Sequence, residues 1–198
     1  MSEVEGSVAD LSAVEPRSPL SVAAVPAHPM IAELPSALVD VAARRGRGED
    51  LAAALSAEFG LALPPPGRFA EGRDATAVWI RPDTWLVIAP RGPEGALARR
   101  LAQAAGAAGS VVDQSHGKTR VRLAGRHARR VLGKGCRLDL DPAAFGPGQA
   151  AITQMAQVSA LLLQRDDTPA YELVVGSSYA VPFLEWLTES AAEFAGTL

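Results

Sequence analysis

Asp113, Ser115 and His116 stand within four positions of one another in "VVDQSHGKTRVRLAG", residues 111–125. These are the three side-chain types of a nucleophilic triad, in which an acid orients an imidazole that takes the proton of a serine hydroxyl. That chemistry requires convergence in space, not adjacency in sequence. On an extended strand Asp113 and Ser115 share a face, while His116 points to the other. The glycine-x-serine-x-glycine elbow that presents a nucleophile at a strand-to-helix turn is missing. The structural alternative has the Asp113 carboxylate and the Ser115 hydroxyl bonding backbone N–H groups where one strand turns into the next.

Directly downstream, residues 118–137 hold Lys118, Arg120, Arg122, Arg126, Arg129, Arg130, Lys134 and Arg137, with no acid among them. In a chain of net charge −3 this block is a local positive field. Three readings fit it: a solvated face, a docking face for an acidic protein surface, and a polyanion or phosphate site. The last is poorly supported locally. "GKG" (133–135) lacks the spaced glycine and the following Ser or Thr of a phosphate loop, and no G-x-G-x-x-G follows a strand. The overall charge does not suggest bulk nucleic-acid binding. His28, His116 and His127 show no metal-ligand spacing. Cys136 stands alone, which excludes an internal disulfide and fits a reducing compartment. Trp79, Trp85, Trp186, Tyr171 and Tyr179 read as core or interface anchors.

The elements that must position these groups follow from residue periodicity. Residues 1–33 read as a flexible N-terminal tail, because Pro16, Pro19, Pro26 and Pro29 interrupt any helix and the apolar residues are mostly Ala and Val. The acidic start lacks a basic segment followed by an apolar run, so no signal peptide is expected. No stretch reaches the ~18–20 apolar residues of a membrane span. A cytoplasmic protein with neither nucleic acid nor membrane as a partner is expected. "ALVDVAARR" (37–45) predicts a strand, Gly46 and Gly48 a turn, and residues 49–59 a helix with Leu51, Leu55 and Phe59 on one stripe. The Pro-Pro-Pro-Gly run at 64–67 opens a loop to about residue 74. Residues 75–90 predict a hairpin around "RPDT", 93–105 a helix, and 110–115 a strand. Residues 118–125 alternate, with Thr119, Val121 and Leu123 on one face and Lys118, Arg120 and Arg122 on the other. A short helix over 126–133, two strands across 150–165, a strand over 170–175 and a helix over 178–195 follow. The apolar stripe of the last helix is Val181, Leu184, Leu187, Ala191 and Phe194.

The order repeats. Each half reads strand, glycine turn, helix, hairpin, helix, which predicts an α+β fold of two related ferredoxin-like βαββα units whose antiparallel sheets are covered by helices. The first unit spans 34–115 and the second 116–198, packed as one body.

Across residues 36–190 the sequence resembles the gamma subunit of heterotetrameric sarcosine oxidase. The motifs that carry the likeness are Asp113, Ser115 and His116 at a strand end, Gly125, the "KGCRLDLDPAAFGPG" stretch from Lys134 to Gly148, Ser178–Tyr179–Ala180, and the Trp186–Leu187 pair. Upstream, "FGLALP" (59–64) and "WIRPDTWLVIAP" (79–90) also fit. Ser177 stands where the family more often has Arg. The same stretch more distantly resembles the folate-binding aminomethyltransferase of glycine cleavage, which implies an aminomethyltransferase-like, folate-binding-type domain. In that relative a hairpin carries an acidic pair that engages the ligand; here Ala160, Leu161 and Leu162 occupy the place, and an aliphatic run cannot orient a pterin or stabilise a developing cation.

The resemblance implies a subunit without an active site of its own, inside a complex that oxidatively demethylates sarcosine to glycine. The other products are hydrogen peroxide and either formaldehyde or 5,10-methylenetetrahydrofolate. It implies alpha, beta and delta subunits as partners. FAD, FMN, NAD, tetrahydrofolate and zinc are expected on those chains, with no catalytic, cofactor or metal ligand on this one. Asp113, Ser115, His116, Arg120, Arg122, Arg126, Arg130, Tyr179 and Trp186 are the expected subunit contacts. The alternatives are a stand-alone folate-binding or one-carbon transfer protein and the equivalent subunit of a related N-methyl amino acid dehydrogenase.

Overall fold

Residue alternation builds the protein. In the strand Ser36–Ala43, Leu38 and Asp40 point one way and Val39 and Val41 the other, and all four are buried. A strand covered on both faces belongs in the middle of a layered structure. The computed structural model describes residues 18–22, 28 and 30–194 and divides them into two five-stranded sheets. One sheet runs β3 (Phe69–Glu71), β4 (Thr76–Arg81), β5 (Thr84–Pro90), β2 (Ser36–Ala43) and β6 (Gly109–Asp113). The other runs β8 (Ala150–Met155), β9 (Val158–Asp166), β10 (Ala170–Gly176), β7 (Lys118–Ala124) and β1 (Ile31–Glu33). All pairings are antiparallel.

Helices α1 (Gly48–Phe59) and α2 (Ala96–Ala105) cover the outer face of the first sheet. Their Leu51, Leu55, Phe59, Leu101 and Ala105 meet Val39, Val41, Ala77 and Val87. Helices α3 (Ala128–Gly133) and α4 (Ala180–Ala191) cover the second sheet, where Val131, Leu132, Phe183 and Leu187 meet Val121, Leu123, Leu162, Tyr171 and Leu173. The inner faces pack on each other through Leu38, Val78, Leu86 and Ile88 against Ala150, Leu161, Leu163 and Val174. The result is a helix–sheet–sheet–helix stack. Gly60, at φ 59°, ends α1 in the left-handed conformation that favours glycine there.

One strand crosses from the first half to the sheet of the second. β1 leads directly into β2, yet it pairs with β7 of the opposite sheet, Ile31 against Leu123. β6 leads into β7, yet it pairs with β2, Val41 against Val111. The first sheet is thus built wholly from residues 36–113, while the second takes its edge strand β1 from the chain just before β2.

The antiparallel sheets covered by helices are as the sequence predicts, and so is the internal repeat. Four details differ. Ordered structure starts before Leu34, with a 3-10 turn at Pro19–Val22 and β1 at Ile31–Glu33. Prolines 29 and 35 bar a helix, but they are compatible with a short edge strand between them, and Met30 and Leu20 add to the apolar contacts of the second sheet. The rest of the expected tail, residues 1–17, 23–27 and 29, lies outside the described residues. The Pro-rich loop contains β3, so each unit carries a third hairpin strand beyond the βαββα pattern. The stripe of α4 runs through Ala180, Phe183, Leu187 and Ala191; Val181 is only half-buried. Finally, the basic face of β7 is turned toward the other sheet, because α3 and α4 already cover the face with Thr119, Val121 and Leu123.

Candidate functional site

The Asp-x-Ser-His stretch forms the crossover from β6 to β7. The Ser115 hydroxyl donates to Asp113 Oδ1 at 2.6 Å, and the Ser115 backbone N–H donates to the same oxygen at 2.9 Å. The Leu38 N–H donates to Ser115 Oγ at 3.1 Å. The serine thus ties the turn to β2, as the structural reading of the sequence predicts. His116 faces the other way and pairs through Nε2 with Glu94 in the loop before α2. A triad requires the imidazole on the serine hydroxyl; here that hydroxyl is shared between Asp113 and β2. Ser115→Ala should therefore act on stability. Loss of the acceptor for the Leu38 N–H is expected to cost about 1 kcal/mol, measured by urea unfolding.

Acids from elsewhere in the chain break up the basic block. Arg120 grips Glu172 of β10 with two nitrogens, Nη2 to Oε1 at 2.7 Å and Nε to Oε2 at 3.1 Å, while its Nη1 donates to Ser36 Oγ at 2.9 Å. Arg165 of β9 approaches the same carboxylate, Nη2 to Oε2 at 2.9 Å, and reaches Glu71 of β3 with Nη1 at 2.7 Å. Its guanidinium also lies 4.8 Å from the centre of the Phe69 ring. The Arg120, Arg165 and Glu172 side chains are only 13%, 16% and 8% exposed. This network spans the inter-sheet layer and makes Arg120 chiefly an internal contact. Burial alone would raise the Glu172 carboxyl, but the hydrogen bond from Arg165 and the charges of Arg120 and Arg165 outweigh it and hold its pKa below the usual range. Lys118 lies 3.9 Å from buried Asp40. Lys134 donates to the Ser190 carbonyl at 2.6 Å and pairs with Glu193.

The exposed cations of the block are Arg122, at the end of the inner face of β7, and Arg126 and Arg130 around α3. Arg130 and Lys134 lie 5.0 and 5.3 Å from the centre of the Phe194 ring, which stacks on His127 at 4.6 Å. Tyr179 is 58% exposed at the start of α4. Trp186 is half-buried, packs against Phe183 at 5.7 Å between ring centres, and lies over Gly135.

The structure gathers the nine expected contact residues into separate places rather than one patch. Ser115, His116 and Arg120 border a cavity of about 370 Å³ at the β6–β7 crossover, beside Asp113. Arg126 and Arg130 lie at α3, Trp186 at the β8–β9 turn with Lys134 and Gly135, and Tyr179 at the opening between the sheets. Glu172, Arg165 and Asp40 escape a reading of the sequence by motif. For Asp40 and Glu172 the signal is a lone charge inside an apolar strand, as in "AYELVV", where burial demands a partner; Arg165, next to Asp166 and Asp167 in "LLLQRDD", carries no such signal. The "SALLL" hairpin is buried from Ala160 to Leu163, with Leu161 toward the other sheet and Leu162 toward the helices.

Residues 45–193 match the model of the family described as "Sarcosine oxidase, gamma subunit family". The chain is 37% identical over 147 residues to the sarcosine oxidase subunit gamma of Arthrobacter sp, which covers 72% of this chain and 70% of that one. It is 37% identical over 146 residues, with the same coverage, to the protein of that name from Corynebacterium sp. (strain P-1). Among solved structures, a chain of heterotetrameric sarcosine oxidase from Corynebacterium sp. U-96, in complex with pyrrole 2-carboxylate, superposes with a TM-score of 0.76 and 29% identity. The match covers 91% of this chain and 96% of that one. The aminomethyltransferase T of the Bartonella henselae glycine cleavage system shares the fold at a TM-score of 0.60 and 16% identity, over 82% of this chain and 46% of its own.

Proposed function

Because this chain belongs to the sarcosine oxidase gamma subunit family, we propose that it is the non-catalytic gamma subunit of a heterotetrameric complex that oxidatively demethylates sarcosine to glycine. The observation that carries this reading is the superposition over nearly the whole of a chain from such a tetramer. The remaining products are hydrogen peroxide and formaldehyde or 5,10-methylenetetrahydrofolate. The alpha, beta and delta subunits are its partners and hold the flavins, NAD, tetrahydrofolate and zinc, in the cytoplasm. No helix among the described residues is long and apolar enough to cross a membrane.

The physical role of this chain is to fit against its neighbours. Exposed Arg122, Arg126 and Arg130 suit an acidic partner surface, where charge steers encounter and fixes register. Tyr179 and Trp186 supply amphipathic anchors of the kind that dominate interface energetics.

Co-expression of the full chain with the large flavoprotein subunits tests the proposal. The expected result is a co-purifying species that takes up oxygen when sarcosine is added. The triple variant Arg122→Glu, Arg126→Glu and Arg130→Glu is expected to lower its yield at least tenfold. A chain that stays monomeric beside its candidate partners would overturn the reading.

A further inference from the structure

The inter-sheet core is open at one end. Leu86 of β5, Leu161 of β9 and Val174 of β10 belong to that core, and with Ile80 of β4 they also floor a groove of about 380 Å³ that reaches solvent between the sheets. Ile152 and Tyr179 form its walls at 54% and 58% exposure. Val112, the other exposed large hydrophobic among the described residues, lies opposite Asp40 on the inner face of the neighbouring sheet. Ile152 likewise pairs with Leu161 on an inner face. Two of the three large apolar side chains that this fold leaves most exposed among the described residues, Ile152 and Tyr179, therefore line one mouth, and such clustering marks a contact surface.

The polar groups of the mouth describe its occupant. Asp40 is buried, and its Oδ2 receives Gln114 Nε2 at 3.4 Å and lies 3.9 Å from Lys118. Its Oδ1 is buried without a hydrogen-bond partner among the described residues, and Asp40 lines the groove. A buried acceptor left without a donor is costly, and an occupant that carries a donor relieves that cost. Exposed Arg81 on the rim calls for negative charge. A second copy docked about a two-fold axis would bring Arg81 and Lys118 of both chains to one mouth, a like-charge arrangement.

We propose that the mouth receives a loop of a larger partner subunit. The loop inserts one aliphatic or aromatic side chain between the sheets, gives a donor to Asp40 Oδ1 and sets an acidic side chain against Arg81. This inference rests on the gamma-subunit reading. The test uses the full chain co-expressed with the large subunits, in wild-type form and as Ile152→Asp, with Gln103→Asp on the exposed side of α2 as the control. Ile152 is exposed enough for the variant to keep its fold, which far-UV circular dichroism verifies. Ile152→Asp is expected to weaken assembly at least tenfold while Gln103→Asp leaves it unchanged. Wild-type assembly with equal affinity for Ile152→Asp overturns the mouth alone. Failure of the wild type to assemble overturns the function and the mouth together. A dimer of the isolated chain that Ile152→Asp dissolves would assign the mouth to a second copy and overturn the proposal.

Discussion

Glu172→Ala is expected to destabilise the chain by about 3–5 kcal/mol, read as a fall in the urea midpoint at neutral pH. The substitution leaves Arg120 and Arg165 largely buried between the sheets with their shared carboxylate gone. Arg165 keeps Glu71, which is itself exposed and a weaker partner, and among the described residues Arg120 keeps only Ser36. The cost is that of stranding charge rather than the net worth of the pair. A substitution that removes all three charges together should cost far less than the single one. The same carboxylate gives the stability a pH dependence. Its pKa is lower folded than unfolded, so its contribution is complete above the unfolded value of about 4.3 and is lost as pH falls through the folded one. Stability should drop more steeply below about pH 4 in the wild type than in Glu172→Ala. An unchanged urea midpoint in the variant would show that the network does not hold the sheets together.

Gly135→Ala is the second large effect. A Cβ at this position would lie 2.5 Å from Trp186 Cζ2 and 3.3 Å from the Ala156 nitrogen. Gly135 also accepts the Ala156 N–H through its carbonyl at 3.2 Å. That bond steadies a β8–β9 turn in which Ala156 and Gln157 take φ of 47° and 68°, left-handed values that suit glycine or asparagine better. Adding one methyl group therefore pushes the indole away and strains the turn at once. The expected cost is about 1–3 kcal/mol, with a red-shifted tryptophan emission as Trp186 becomes wetter. Wild-type emission and stability would mean that the glycine is incidental.

Alternation made most of the fold legible. Thr119, Val121 and Leu123 announce the covered face of β7, and Leu51, Leu55 and Phe59 the stripe of α1, because burial imposes those periods directly. What alternation cannot tell is which layer covers the opposite face. Lys118 and Arg120 look like a solvated row in sequence, yet they meet Asp40 and Glu172, acids separated from them by 78 and 52 positions. Strand pairing brings those charges together, and no local pattern records it. The Ser115 turn was legible because its partner Asp113 is two residues away. The Trp186–Gly135 contact was not, because a glycine's reason for being there is the ring that lies on it. β1 was hidden by its brevity and by flanking prolines, which read as disorder when no neighbouring strand is in view.

The pairing of β1 with β7 makes the sheet of the second half depend on the chain that precedes the first. Severing the backbone at the crossover near residue 116 would leave the amino-terminal fragment with a complete five-stranded sheet of its own and with β1 still laid along the edge of the other fragment's sheet. The carboxy-terminal fragment by itself would bear a bare β7 edge, which residues 31–33 of its counterpart cover in the intact protein.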